Sequence, residues 1–432
     1  MNIIKKSVLA ALIAVLGLAH CATAAPEVEP DSTFCNPLDL NYRFREKLFR
    51  SAADPVMVRY RGDYYLFASK AGGYWWSSDM RDWTLVKDPD IAYEHWAPAA
   101  FAHDGTLYFV STKSNPTKIF GTSEPKNGDS WELVRKLNDS YSDGAVFVDD
   151  DGRVFLYYGC SPMGPIRVVE LDPDRDFKVV SEPVRCVSGN PRRRGWEVRG
   201  DHNRRLDEKP WIEGPWMTKH DGKYYLQYAA PGTQFVSYAD GVVVSDSPLG
   251  PFRYARHNPM SLRPNGFSPG AGHSATFQAE DDTYWRVTCA IVSHRAPFER
   301  RLNVFPAGFD EDGVMFSRTY MGDYPQFLPG ENDDAAANNL VGWMLLTYGR
   351  PARASSTAEG HAVSKAFDES NKTYWCAESG DEGEWLQVDL EEQCSIHALQ
   401  VNFAEDSTNG RSDVRDDPHQ YVVEISEDGT DW

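Results

Sequence analysis

Three carboxylates in this chain stand in unusual company. Glu213 lies in Trp211-Ile-Glu-Gly-Pro-Trp216, between two tryptophans and just ahead of the apolar run Tyr224-Tyr-Leu-Gln-Tyr228. Asp54 lies in Ser51-Ala-Ala-Asp-Pro-Val-Met-Val58, and Asp143 in Tyr141-Ser-Asp-Gly-Ala-Val-Phe-Val148. One acidic residue beside a strand is ordinarily a charge facing water. Three at matched positions around an aromatic-lined cavity are different, because like charges in a low-dielectric site drive their pKa values apart. One is then held as a neutral acid while another stays ionised. Hydrolysis of a glycosidic bond needs that division: a general acid protonates the leaving oxygen and a general base activates water.

The elements that must position these groups are legible as repeats. Gly62 follows Asp54 by 8 residues, and Gly152 and Gly222 follow Asp143 and Glu213 by 9. Each glycine opens a tight turn feeding an aromatic-rich strand, and the signal recurs five times: Arg61-Gly-Asp-Tyr-Tyr-Leu-Phe67, Asp104-Gly-Thr-Leu-Tyr-Phe-Val110, Asp151-Gly-Arg-Val-Phe-Leu-Tyr157, Asp221-Gly-Lys-Tyr-Tyr-Leu-Gln227 and Asp281-Asp-Thr-Tyr-Trp-Arg-Val287. These read as hairpins whose strands are apolar on both faces and therefore buried on both sides. Repeat spacings of roughly 40 to 70 residues suit one four-stranded sheet each. The second signals Ser77-Ser-Asp-Met-Arg-Asp-Trp83 and Ser245-Asp-Ser-Pro-Leu-Gly-Pro-Phe252 read as outer hairpins. The predicted fold is all-β, a five-bladed β-propeller over about 35–325, inside a catalytic domain set at 26–335. A propeller gathers its inner strands around one axis, so carboxylates far apart in sequence converge at its mouth. The widest gap between repeats holds Asn190-Pro-Arg-Arg-Arg-Gly-Trp-Glu-Val-Arg-Gly-Asp-His-Asn-Arg-Arg205, readable as a solvated loop or as a rim gripping polar ligand.

From about Val341 the pattern changes to short alternating strands, Trp385-Leu-Gln-Val-Asp-Leu390, Ile396-His-Ala-Leu-Gln-Val-Asn-Phe403 and Tyr421-Val-Val-Glu-Ile-Ser426. They mark a second all-β module at 341–432. The 64 acidic against 44 basic residues leave a net charge of −20, which repels nucleic acid and anionic membranes. Lys5 and Lys6, an apolar run from Ser7 to Ala19 and the small residues Ala22-Thr-Ala24 read as an export signal over 1–25. Cys21 offers an alternative, lipid anchoring. No later segment has the apolar length of a membrane span. Export permits disulfides; Cys160–Cys186 and Cys376–Cys394 are conceivable pairs, buried free thiols the alternative, and no spacing suggests zinc.

Taken together, Ala53-Asp54-Pro55 before Tyr64-Tyr-Leu66, Trp96-Ala-Pro98, Asp143 before Asp149-Asp-Asp-Gly152, Glu213-Gly-Pro-Trp216 and Gly270-Ala-Gly-His273-Ser resemble glycoside hydrolase family 43. The resemblance implies a five-bladed, inverting enzyme acting on arabinose-, xylose- or galactose-containing plant polysaccharides or oligosaccharides, with no cofactor needed for the chemistry. It casts Asp54 as the general base, Glu213 as the general acid and Asp143 as the residue that tunes and orients Glu213. Inversion sets Asp54 and Glu213 ~6.5–9.5 Å apart with water between them. By the same resemblance His273 lies near the axis, as a substrate contact or beside a bound ion, and a fifth-blade arginine, Arg300 or Arg301, meets the site. Asp143 is followed by Gly144 where the family commonly has proline. Trp75, Trp96 and Trp216 are candidate sugar platforms, whereas Trp83 and Trp131, in outer-hairpin positions, read as packing.

The C-terminal module resembles a coagulation-factor-5/8-type, discoidin-like β-sandwich through Ala354-Ser-Ser-Thr357, Ala366-Phe-Asp-Glu369, Thr373-Tyr-Trp375, Trp385-Leu-Gln-Val-Asp-Leu390 and Ser426-Glu-Asp-Gly-Thr-Asp-Trp432. Such modules bind galactose-type sugars and can carry a structural calcium. The expected domain continues past Trp432, so the sandwich is expected to be incomplete, with exposed edges. The leading expectation is an exported exo-glycosidase, foremost an α-L-arabinofuranosidase, with β-xylosidase and exo-β-galactosidase as alternatives. A propeller that binds glycans without cleaving them is a different reading, opposed by the intact Asp54 and Glu213. A five-bladed fructosidase is disfavoured because its Asn-Asp-Pro-Asn-Gly motif is absent.

Overall fold

The computed structural model describes residues 30–41, 44–46, 49–50, 52–87, 96–292, 298–320, 322–331, 339–404 and 420–432. The export-signal segment and Cys21 lie outside them.

Five antiparallel sheets follow one another along the chain, each opening on an inner strand: β1 (Ala53–Tyr60), β2 (Ala99–His103), β3 (Ala145–Val148), β4 (Trp211–His220) and β5 (Gly272–Gln278). Each inner strand pairs with the aromatic strand that follows its turn, as the repeats predict. In blades 1, 2 and 4 both central turn residues have positive φ: Arg61 and Gly62, Asp104 and Gly105, Asp221 and Gly222. That twist matches the right-handed twist of the flanking strands and explains why Gly occupies the second position. Blades 1, 2 and 5 are four-stranded; blade 3 adds a split outer edge, and blade 4 takes in Ser161–Pro162 and Ser261–Leu262 as short extra strands.

Strands apolar on both faces belong between blades, and the core lies there. Val56, Tyr65, Phe67 and Tyr74 of blade 1 pack on Ala100, Leu107, Phe109 and Trp131 of blade 2. Blades 2 and 3 share Phe101, Val110, Val154 and Leu156, and blades 3 and 4 share Phe155, Tyr157, Leu226 and Tyr228. The ring closes through the segment before β1. Asn36 Nδ2 donates to Val304 O at 2.8 Å and Gly322 O at 2.7 Å, and its Oδ1 accepts from Val304 N at 2.8 Å. Leu38 N and Ala52 N donate to Leu302 O and Arg300 O. The first blade is thereby tied to the last.

The insertion between blades 3 and 4 is more than a solvated loop. It wedges Trp196 and Glu197 into blade 4, where Glu197 accepts from Asn190 N at 2.5 Å, Arg194 at 3.1 Å and the Tyr228 hydroxyl at 2.7 Å. In the C-terminal segment, Ala352–Ala354 pairs with Leu386–Val388. The expected strands at 396–403 and 421–426 have no ladder among the described residues, and Ile396, Leu399, Tyr421 and Val422 stay exposed. Cys35, Cys160, Cys186, Cys289, Cys376 and Cys394 are all free, so neither conceivable disulfide forms.

Candidate active site

The head of every inner strand carries one residue in the left-handed region: Asp54 (φ 51°), Ala97 (φ 41°), Asp143 (φ 51°), Gly214 (φ 57°) and His273 (φ 48°). In blades 1, 4 and 5 the ladder also slips there, between Ala53 and Val56, Glu213 and Trp216, and Gly272 and Ala275. Such bulges re-aim side chains, and non-glycine residues in this region are strained features that cluster at functional sites. Asp54 and Asp143 occupy the left-handed step itself. Glu213 precedes it by one residue, so the match of the three carboxylates is offset by one in blade 4. Gly214 takes the step instead, because a Cβ there would lie 2.7 Å from the His273 ring.

Asp54 is buried and fully engaged. Arg300 Nη1 donates to Oδ1 at 2.9 Å and Nη2 lies 3.4 Å from Oδ2, which also accepts from Ser69 Oγ at 2.7 Å. His273 Nδ1 lies 3.3 Å from Asp54 Oδ1 and 3.9 Å from Asp143 Oδ2, bringing two carboxylates to one imidazole. Burial works to raise the Asp54 pKa, but Arg300, His273 and the Ser69 hydroxyl outweigh it and hold the group below its ordinary value. Asp143 meets Lys113 Nζ at 3.1 Å.

Glu213 is surrounded differently. Its Oε1 accepts from the Tyr238 hydroxyl at 2.8 Å and its Oε2 from the Cys160 thiol at 3.3 Å. Burial first, and then the Asp143 charge, push its pKa above the ordinary value; His273 and Tyr238 pull downward without reversing this. One buried carboxyl is thus favoured as an acid and another as an ion, in a single cavity. Behind them Asp240 accepts from His273 N at 3.0 Å and bonds Ser274 and Arg286, fixing the head of β5.

Of the two candidate arginines, Arg300 reaches the site, while Arg301 points away to Glu299 at 3.3 Å. The tryptophans divide as well. Trp75 is 0% exposed inside the core of blade 1, so its assignment as a sugar platform is overturned. Its ring is packed in the core that blades 1 and 5 share, out of reach of a ligand. Trp216 donates from its indole to Thr276 O at 2.8 Å and packs on two core clusters, walling the channel between blades. Trp96 stands half-buried at the rim, with Lys70 Nζ 4.6 Å from its ring centre and Phe298 edge-on at 6.3 Å. Trp131 lies in the core between blades 1 and 2 and Trp83 packs on the core that blades 1 and 5 share, so both are packing residues, as their positions suggest.

Sequence reasoning missed Ser69, Lys113, Cys160, Tyr238 and Thr233, whose Oγ1 accepts from Arg300 Nη1 at 2.7 Å. Hairpin register would have found Ser69, since counting back from the Arg61-Gly62 turn sets it opposite Asp54, and the bulge then moves its partner to Ala53. Tyr238 and Cys160 arrive from connecting segments next to other strands and leave no local signal. For a metal, the described residues offer one group of three ligand-type side chains, Asp143, Cys160 and Glu213, all within 4.8 Å of one another. His273 belongs to no such group, so Asp54 and Asp143 define its place.

The family model for Glycosyl hydrolases family 43 matches residues 48–315, the span that carries all five blades. The chain belongs to glycosyl hydrolase family 43. It is accordingly an inverting glycoside hydrolase, followed by an F5/8 type C domain matched at 351–432. Similar proteins include the β-D-galactofuranosidase xynD of Aspergillus niger, 30% identical over 314 residues, covering 64% of this chain and 82% of that protein. Xylosidase/arabinosidase 43A of Humicola insolens is 30% identical over 200 residues, 38% of this chain and 58% of its own length. The non-reducing end α-L-arabinofuranosidase BoGH43B of Bacteroides ovatus is 23% identical over 308 residues, 63% of this chain and 54% of its own. The chain thus spans little more than half the length of the last two. A thermostable family-43 glycoside hydrolase shares the fold, with TM-score 0.56, 22% identity and coverage of 69% of this chain and all of that one. Among the described residues no helix is long and apolar enough to cross a membrane.

Proposed function

We propose that this family-43 protein is an exported exo-glycosidase removing terminal furanose residues from plant polysaccharides, foremost α-L-arabinofuranose. The observation that carries the chemical reading is the opposed pair of carboxyls, Asp54 held ionised by Arg300 and Glu213 favoured in its protonated form by burial beside Asp143. In this reading Asp54 takes a proton from water as the water oxygen bonds to the anomeric carbon. The bond from that carbon to the leaving oxygen breaks as Glu213 delivers its proton there. Configuration inverts in one displacement, and proton exchange with solvent resets both groups.

Asp143 raises the affinity of Glu213 for its proton. Lys113 neutralises part of the Asp143 charge. His273 couples the two ends of the site, and Trp96 and Trp216 are the remaining aromatic candidates for stacking on the sugar.

The furanose preference is supported by relatives named for arabinofuranose and galactofuranose. A second reading, β-D-galactofuranosidase, is favoured by the Aspergillus niger relative, of which the chain covers 82%. The two sugars share a ring configuration and differ by one exocyclic carbon. The F5/8 type C domain is read as a glycan-binding module that keeps the enzyme on its polymer.

The test is release of nitrophenol from α-L-arabinofuranoside, β-D-galactofuranoside, β-xyloside and β-galactoside by wild type and Glu213→Gln. Arabinofuranoside is expected to be turned over fastest, and Glu213→Gln to cut the rate on a poor-leaving-group glycoside about 10²–10⁴-fold. Equal rates for wild type and Glu213→Gln on that glycoside would remove Glu213 as the acid. Turnover of none of the four by the wild type would favour a binding propeller.

A further inference from the structure

The acid has two oxygens with unlike neighbours. Oε1 accepts a phenolic hydrogen bond at 2.8 Å, while Oε2 meets only a thiol, at 3.3 Å, among the described side chains. A phenol is a strong donor, whereas S–H is a weak donor and sulfur a weak acceptor. A protonated carboxyl keeps its proton on the oxygen less committed to accepting, which is Oε2. A hydroxyl in the place of the thiol would draw that proton back, and a methyl group would leave the oxygen unanchored.

The backbone explains why residue 160 is suited to this place. Gly159 N donates to Ser142 O at 2.9 Å, next to Asp143, while Ser161 pairs with Ile212, next to Glu213. Cys160 therefore stands where the chain leaves the second strand of blade 3 to lay Ser161–Pro162 beside β4, and its Sγ lies within 4.8 Å of both carboxylates, with Asp143 as the second acceptor open to the thiol. It carries no disulfide.

We propose that Cys160 is a positioning residue for the catalytic acid: its thiol fixes Oε2 of Glu213 as the oxygen that carries and delivers the proton. The proposal rests on the reading of Glu213 as the acid. Around Glu213 stand the carboxylates of Asp143 and Asp54, the His273 imidazole, the Lys113 ammonium, the Arg300 guanidinium and the Tyr238 phenol. None of these but Cys160 bonds Oε2.

The experiment compares Cys160→Ala, Cys160→Ser and Glu213→Gln with wild type on methyl and dinitrophenyl α-L-arabinofuranoside, or on the galactofuranosides if those are the ones cleaved. Thermal denaturation checks that each variant is folded. The methyl glycoside needs its leaving oxygen protonated, and the dinitrophenyl glycoside does not. Both Cys160 variants are expected to lose about fivefold to tenfold in kcat on the methyl glycoside and less than about twofold on the dinitrophenyl one.

The alkaline limb of kcat/KM should separate the two variants. Cys160→Ala removes a donor to the carboxylate, so the limb moves up. Cys160→Ser supplies a stronger donor, so it moves down, each by on the order of half a pH unit. Equal losses on both glycosides, or limbs that shift together or stay put, would overturn the role of Cys160. If Glu213→Gln keeps its leaving-group dependence in that case, the acid assignment stands. If Glu213→Gln lacks that dependence too, both readings fall.

Discussion

Arg300 and Arg301 are neighbours on one strand, and alternation sends them to opposite faces. Only Arg300 meets Asp54, and it does so with both charges buried. Arg300→Ala leaves a buried carboxylate without its cation, at a cost of about 3–5 kcal/mol in stability. Because Asp54 is held below its ordinary pKa, its contribution is present above its unfolded pKa and is lost as pH falls through the lower folded value. The stability gap between wild type and Arg300→Ala should therefore close over that acidic range in denaturant titrations. The Asp54 pKa rises in the variant, so the acid limb of kcat/KM moves to higher pH. Arg301→Ala should leave that limb where it is. The three carboxylates were legible because each has a local signature, an acid just ahead of a turn and an aromatic strand. The choice of arginine was not, since it depends on the phase of a strand whose start at Arg300 no local signal fixes. The platform assignment of Trp75 failed because sequence does not tell a ring packed between two blades from one at the mouth.

At the level of the strand, the bulged head is what aims the chemistry. Gly214→Ala puts a Cβ into the left-handed region, which costs roughly 1–2 kcal/mol, and onto the His273 ring, 2.7 Å away. His273 must shift, and with it the contact that joins Asp54 to Asp143. The expected result is a drop in unfolding midpoint together with a loss of kcat, read by chemical denaturation and steady-state kinetics. Gly222→Ala, at a turn with open space around the added carbon, should pay only the backbone penalty and keep its kcat. Four of the five hairpins could be read from Asp-Gly or Arg-Gly turns, and the fifth from Asp281-Asp282 ahead of an aromatic strand. The one-residue offset of Glu213 could not, because a bulge is a property of two paired strands.

Ring closure belongs to the whole molecule. Asn36 satisfies Val304 N, Val304 O and Gly322 O of the last blade, and all these groups are buried with it. Asn36→Ala should cost about 1–3 kcal/mol for each group left unsatisfied, seen as a lower denaturation midpoint, while kcat at low denaturant stays near that of wild type. Blade number and order followed from the repeats; the closing contact did not, because it joins residues 268 positions apart. The five left-handed heads have a further meaning for descent. Their backbone step recurs whether the residue is Asp54, Ala97, Asp143, Gly214 or His273, so in blades 1, 3 and 5 the group shown to the axis is set by one codon in a frame that the blade already provides. Ala97 and Gly214 bring no functional group of their own. Lineages built on this ring can therefore exchange chemistry by point substitution at a few sockets, leaving the folding pattern inherited intact.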